Sequence, residues 1–196
     1  MDLVSRVQQI ILKPKEEWIK IKEEEISIQQ LFISYAAILA AIPAVAQFLG
    51  LAIIGGSKIP YIGRSIFLRT FSFCIFYYIV SLVIVYLLGF IINALAPTFS
   101  SKQNQINAMK IAVYSMTPAW VAGVLYIIPF LGILVFLASI YSIYLLYLGF
   151  DAPLMDTPKE KVGGYLVVSV IVVIVLMAVI WIILGAILTV GAYRAI

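Results

Sequence analysis

Histidine is absent from this 196-residue chain, cysteine occurs once, and charge is scarce. Without imidazole, Ser-His and Cys-His nucleophile pairs, histidine general bases and histidine metal sites are excluded. The single cysteine, Cys74, cannot form a disulfide within the chain and reads as a small buried hydrophobe. Charged residues make up only 11% of the chain and hydrophobic ones 64%, against roughly a quarter and a half in soluble domains. Four stretches carry no charge at all: residues 26–57, 70–101, 111–150 and 162–193, of 32, 32, 40 and 32 residues. Runs longer than about 18 such residues read as membrane spans. An all-α, polytopic membrane protein is expected. No basic run or basic-aromatic interleaving suggests a nucleic-acid partner, and no cleaved secretory signal is expected ahead of the first span.

A helix crosses the hydrocarbon core with about 20 residues. Each 32-residue block therefore holds one span. The 40-residue block would be about 60 Å long as a single helix, so it must fold back, with the turn at Ile128-Pro129-Phe130-Leu131-Gly132. Five spans are predicted, at 29–52, 70–95, 107–128, 132–150 and 164–190. The domain reading is an amphipathic segment at 1–28, a membrane domain at 29–190 and a tail at 191–196. Ser27 to Gln30 and Thr157 to Glu160 read as capping boxes, and Gly163-Gly164 would allow a bend.

Ahead of the first span, Leu3, Val4, Val7, Ile10 and Ile11 recur at helical spacing, with Arg6, Gln8 and Gln9 opposite. Pro14 can start a second helix, in which Glu16 and Glu17 suit the N-terminal dipole. This pair is read as an interfacial segment lying on the bilayer, with Pro14 and Trp18 as interfacial contacts. Nine Lys and Arg fall on the N-terminal side of the membrane and four on the other. By the positive-inside rule the N-terminus is cytoplasmic and the C-terminus outside.

No Asp, Glu, Lys or Arg lies in the middle of a predicted span, which argues against proton relays and ion-coupled transport. No nucleophile elbow, phosphate loop or zinc-binding helix is present, so neither enzyme activity nor a cofactor or metal is expected. Ala36, Ala40 and Ala44 form a small-residue stripe suited to close helix packing. The candidate site lies at Thr117-Pro118. Proline removes the donor for the Tyr114 carbonyl, and a bare carbonyl in hydrocarbon costs several kcal/mol. Ser115, Thr117 and a fourth-span tyrosine, Tyr141 or Tyr144, are the expected relief. Two readings follow: a packed, satisfied kink, or a polar notch that accepts a lipid or a partner helix.

Leu12-Lys13-Pro14-Lys15-Glu16-Glu17-Trp18, Asn93-Ala94-Leu95-Ala96-Pro97 and Tyr114-Ser115-Met116-Thr117-Pro118-Ala119-Trp120 resemble the Yip family, the Rab-GTPase-interacting five-span proteins. Ile127 to Gly132 and Tyr144 to Gly149 continue the likeness, which covers about residues 5–190. The resemblance implies five spans and a non-catalytic role. The chain lacks the long N-terminal region and the Asp-Leu-x-Gly-Pro motif of eukaryotic members, which weakens the case for a Rab-type GTPase partner. Its short, Lys/Ile-rich form suggests a bacterial inner membrane. The expected function is a membrane adaptor or organiser that contacts lipid, a second copy of itself or another membrane protein. The alternative is a small passive permease or lipid transporter using the third and fourth spans.

Overall fold

A computed structural model of the chain describes residues 2–51, 63–151 and 154–193, and the described part is helical, with no strand. Five helices are long and apolar enough to cross a membrane: Ile28–Gly50, Phe67–Phe99, Gln105–Ile127, Gly132–Asp151 and Lys159–Val179. These match the five expected spans and are called here the first to fifth. The fold-back falls where Pro and Gly place it, with the chain bending at Ile128 before the helix of Gly132–Asp151 begins. The fifth helix continues from Lys159 to Tyr193 through Gly163 and Gly164 without the expected bend. A Cβ on Gly164 would meet the Phe99 ring at 3.4 Å, so this glycine serves close packing. The expected tail is helical as far as Tyr193, and its last three residues lie outside the described residues.

Two short helices precede the bundle, α1 (Leu3–Leu12) and α2 (Pro14–Glu23). Proline at the first position of α2 has its φ preset for a helix and no N–H to leave unpaired. Both helices contribute to the core of the bundle: Ile10, Trp18 and Ile21 are fully buried in one cluster with Tyr35, Ile111, Tyr114 and Leu145. The expected interfacial position of Trp18 is thus corrected. It is the largest fully buried side chain among the described residues, and it packs edge-on against Tyr114 at 6.4 Å between ring centres. Gly149 leaves the space for it, since a Cβ there would lie 3.1 Å from the indole. An apolar helix face seeks either lipid or protein; here it finds protein. Pro14 stays half-buried at the edge.

The third span is the most enclosed, with 67% of its apolar window buried, and the fifth the least, with 17%. The first span carries an unforeseen irregularity of its own. Residues Phe32–Ala36 form a π-helical turn, and Pro43 lies inside the helix that follows. Pro43 rests on Gly123 of the third span so closely that a Cβ on Gly123 would sit 2.5 Å from the proline ring. A Cβ on Gly50 would likewise sit 2.5 Å from the Tyr126 carbonyl oxygen. The expected alanine stripe is internal, with Ala36, Ala40 and Ala44 all buried, and the Tyr78 hydroxyl donates to the Ala37 carbonyl at 3.1 Å.

Ser27 caps the first span as its sequence suggests, its hydroxyl accepting from the Gln30 N–H at 3.1 Å. Thr157 does not act as the second expected cap. Its hydroxyl accepts from Ser101 at 2.9 Å, tying together the connections before the third and fifth spans. Lys102 and Asp156 reinforce this tie with a 2.6 Å ion pair. The pair holds the Asp156 carboxyl below its ordinary range and raises the Lys102 ammonium above its own.

Candidate functional site

The third span is two α-helices, Gln105–Ser115 and Thr117–Ala122, separated at Met116, and ends in a 3-10 helix at Gly123–Ile127. The break is the one Pro118 imposes. Thr117 repairs it, its hydroxyl donating to the Tyr114 carbonyl at 2.7 Å. That hydroxyl has one proton, so its 2.8 Å bond with the Tyr35 hydroxyl is one in which Tyr35 donates. The first span, not the fourth, therefore completes the kink.

The remaining candidate residues disperse. Ser115 is fully buried, but its hydroxyl has no partner in the structure, so it gives the Tyr114 carbonyl no relief. The Tyr141 hydroxyl donates to the Ile11 carbonyl of α1 at 2.8 Å, and Tyr144 stands on the exposed face of the fourth span. Ser142, from that same span, accepts from the Ala119 N–H at 3.3 Å. Of the residues expected to form a notch, Tyr114, Ser115, Thr117 and Pro118 are buried, Tyr141 is partly buried and Tyr144 is exposed. The satisfied kink is the arrangement observed.

Where the sequence suggested a surface helix, the structure places a buried charge cluster. Arg6 of α1 reaches Glu17 of α2 at 2.6 Å and Glu24 at 2.9 Å. Glu17 is fully buried, and its second oxygen takes Lys20 at 3.1 Å. The Tyr114 hydroxyl donates to Glu24 at 3.3 Å, and the Arg6 guanidinium lies 5.5 Å from the centre of the Tyr114 ring. Lys110, in the first half of the third span, is 2% exposed and donates to the carbonyls of Ile21 and Glu24 at 2.7 and 2.5 Å. The ammonium thereby caps the end of α2, where carbonyls lack helical donors.

Each ion of this cluster has a partner, which is the condition under which a buried ion can persist. Arg6 and Lys110 balance Glu17 and Glu24. The cluster clamps α1 and α2 to the first and third spans through Tyr35, Tyr114 and Thr117. No group of three or more potential metal ligands occurs among the described residues.

Sequence reasoning missed this cluster because Arg6 and Glu17 lie on different helices, joined by the break at Lys13-Pro14. One signal was available. Lys110 stands inside the third span, within the segment Gln105–Ser115 that is otherwise uncharged, and a cation at that depth needs a partner.

Comparison with known protein families gives a match. The Yip1 domain family matches residues 9–193, which takes in α2, all five spans and every member of the cluster except Arg6. No curated protein and no solved structure matches the chain.

Proposed function

This chain belongs to the Yip family, and on that premise we propose that it is a non-catalytic membrane organiser, acting through protein or lipid contacts at the end of the bundle that carries α1 and α2. The observation behind this reading is the distribution of polar groups. Ions and hydrogen-bonding side chains gather at that end, in the charge cluster and in the Ser101–Thr157 and Lys102–Asp156 ties. The Lys and Arg distribution orients this end to the cytoplasm, with the C-terminus outside. The Lys/Ile-rich composition suits a bacterial inner membrane.

Against the permease alternative stands the engagement of the third and fourth spans with their neighbours. The Thr117 hydroxyl serves the kink, the Tyr141 hydroxyl is held by α1, and Ser142 is held by the third span. A solute path there would have to break these bonds. The test is in two parts. Site-specific photocrosslinking from exposed positions on α2 in native membranes should trap a defined membrane partner or a second copy. Purified protein in liposomes should neither leak small solutes nor scramble lipid. Leakage or scrambling above protein-free liposomes, with no crosslinked species, would replace the organiser by the permease.

A further inference from the structure

Beside the charge cluster a groove of about 590 Å³ opens between the end of α2 and the start of the third span. This volume lies within the roughly 300–1,000 Å³ range of ligand sites. One wall carries Lys22, Glu24 and Glu25, the other Asn104, Asn107 and Lys110, and Ile26, Ser27 and Ile106 complete the lining. The groove lies where the first span begins, at Ile28, and where the third begins, at Gln105. In a bilayer this is headgroup depth.

Its four ions are two of each sign, and one of each is already committed. Lys110 is held by the carbonyls of Ile21 and Glu24, and the Glu24 carboxylate by Arg6 and Tyr114. Lys22 and Glu25 are left, both exposed and without an ion pair among the described residues. We propose that this groove seats the headgroup of an aminophospholipid such as phosphatidylethanolamine, with its primary ammonium on Glu25 and its phosphate on Lys22. Ile26 and Ile106 give the lipid an apolar edge along which its chains descend.

The charge pattern selects among lipids. With no net charge, the groove offers an anionic headgroup little overall attraction. A choline headgroup matches the dipole but has no N–H to donate to a carboxylate, whereas a primary ammonium has three. This inference goes beyond the organiser reading, since a lipid can occupy the groove whether or not a protein partner docks nearby.

Full-length protein in detergent can be offered phosphatidylethanolamine, phosphatidylcholine and phosphatidylglycerol of matched chains in equal amounts, with adducts read by native mass spectrometry. Phosphatidylethanolamine should exceed each of the others roughly tenfold, the selectivity of one charge-assisted hydrogen bond. Glu25→Gln should reduce it to the phosphatidylcholine level, with an unchanged melting temperature. Lys22→Gln should lower all three lipids together. Equal binding, a preference for phosphatidylglycerol, or an excess that survives Glu25→Gln would overturn the proposal. Should Glu25→Gln fail to fold, Ile106→Trp decides, because it fills the groove from an exposed wall. Loss of the phosphatidylethanolamine excess then supports the site, and retention overturns it.

Discussion

The third and fifth spans are both long apolar helices, yet they answer to different solvents. The third is broken at Met116, contains a lysine and a proline, and hydrogen-bonds to the first and fourth spans. The fifth is one unbroken helix in which Val167, Ile171, Ile174, Val175 and Val179 stand exposed. Lipid cannot satisfy a backbone group, so irregular backbone is tolerated only where protein surrounds it. The enclosed span can therefore carry a kink and a cation. The lipid-facing span must keep its own backbone paired.

The contrast can be broken most forcefully at Arg6. Arg6→Met leaves Glu17 buried with only the exposed Lys20 for company, and removing one partner of a buried pair costs about 3–5 kcal/mol. A large drop in melting temperature in detergent is expected. A wild-type value would mean that α1 is not clamped to the bundle.

A smaller loss, roughly 1–3 kcal/mol, is expected for Thr117→Val, which strips the Tyr114 carbonyl of its donor and Tyr35 of its acceptor. Combining it with Pro118→Ala sharpens the point. Alanine restores an N–H that can reach the Tyr114 carbonyl, so the cost of Thr117→Val should shrink in that background. Strict additivity of the two substitutions in thermal unfolding would show that the hydroxyl does not compensate for the proline.

On the fifth span Ile171→Ala should move stability by less than about 0.5 kcal/mol, as expected of a side chain away from any packed or paired feature. A loss near that of Thr117→Val would mean that this face packs against protein in the membrane.

The least effect belongs to the Lys102–Asp156 pair, which is exposed and screened. The Asp156 carboxyl is held below its ordinary value by Lys102, so the contribution is present above the ordinary carboxylate range of about pH 4 and disappears as pH falls through the lowered value. Melting curves should show a slight acid-side decline that Asp156→Asn reduces. An equal decline in that variant would assign it to other carboxylates.

Much of this architecture was legible in the sequence because span length and charge placement respond to one constraint, the thickness of hydrocarbon. The five spans and the turn before Gly132 follow from it. So does the break at Pro118, since a missing N–H acts wherever the residue sits. The docking of α1 and α2 was not legible. An amphipathic helix looks the same whether its apolar face meets lipid or protein, and Trp18 suits either. Pro43 on Gly123 escaped for another reason: the two lie in different charge-free blocks, and only the packed structure brings them together. For the same reason the expectation of a fourth-span tyrosine at the kink missed Tyr35 of the first span, because which tyrosine reaches Thr117 depends on helix rotation.

The bond from Tyr141 to Ile11 joins residues 130 positions apart, and those from Lys110 to α2 and Glu24 span 89 and 86. During synthesis the first helices leave the ribosome well before their anchors exist. Arg6 can find Glu17 and Glu24 early, but Lys110, Tyr114 and Tyr141 arrive only with the third and fourth spans. Made before the spans, α1 and α2 are thus among the last elements to be seated, and until then their apolar faces need another cover.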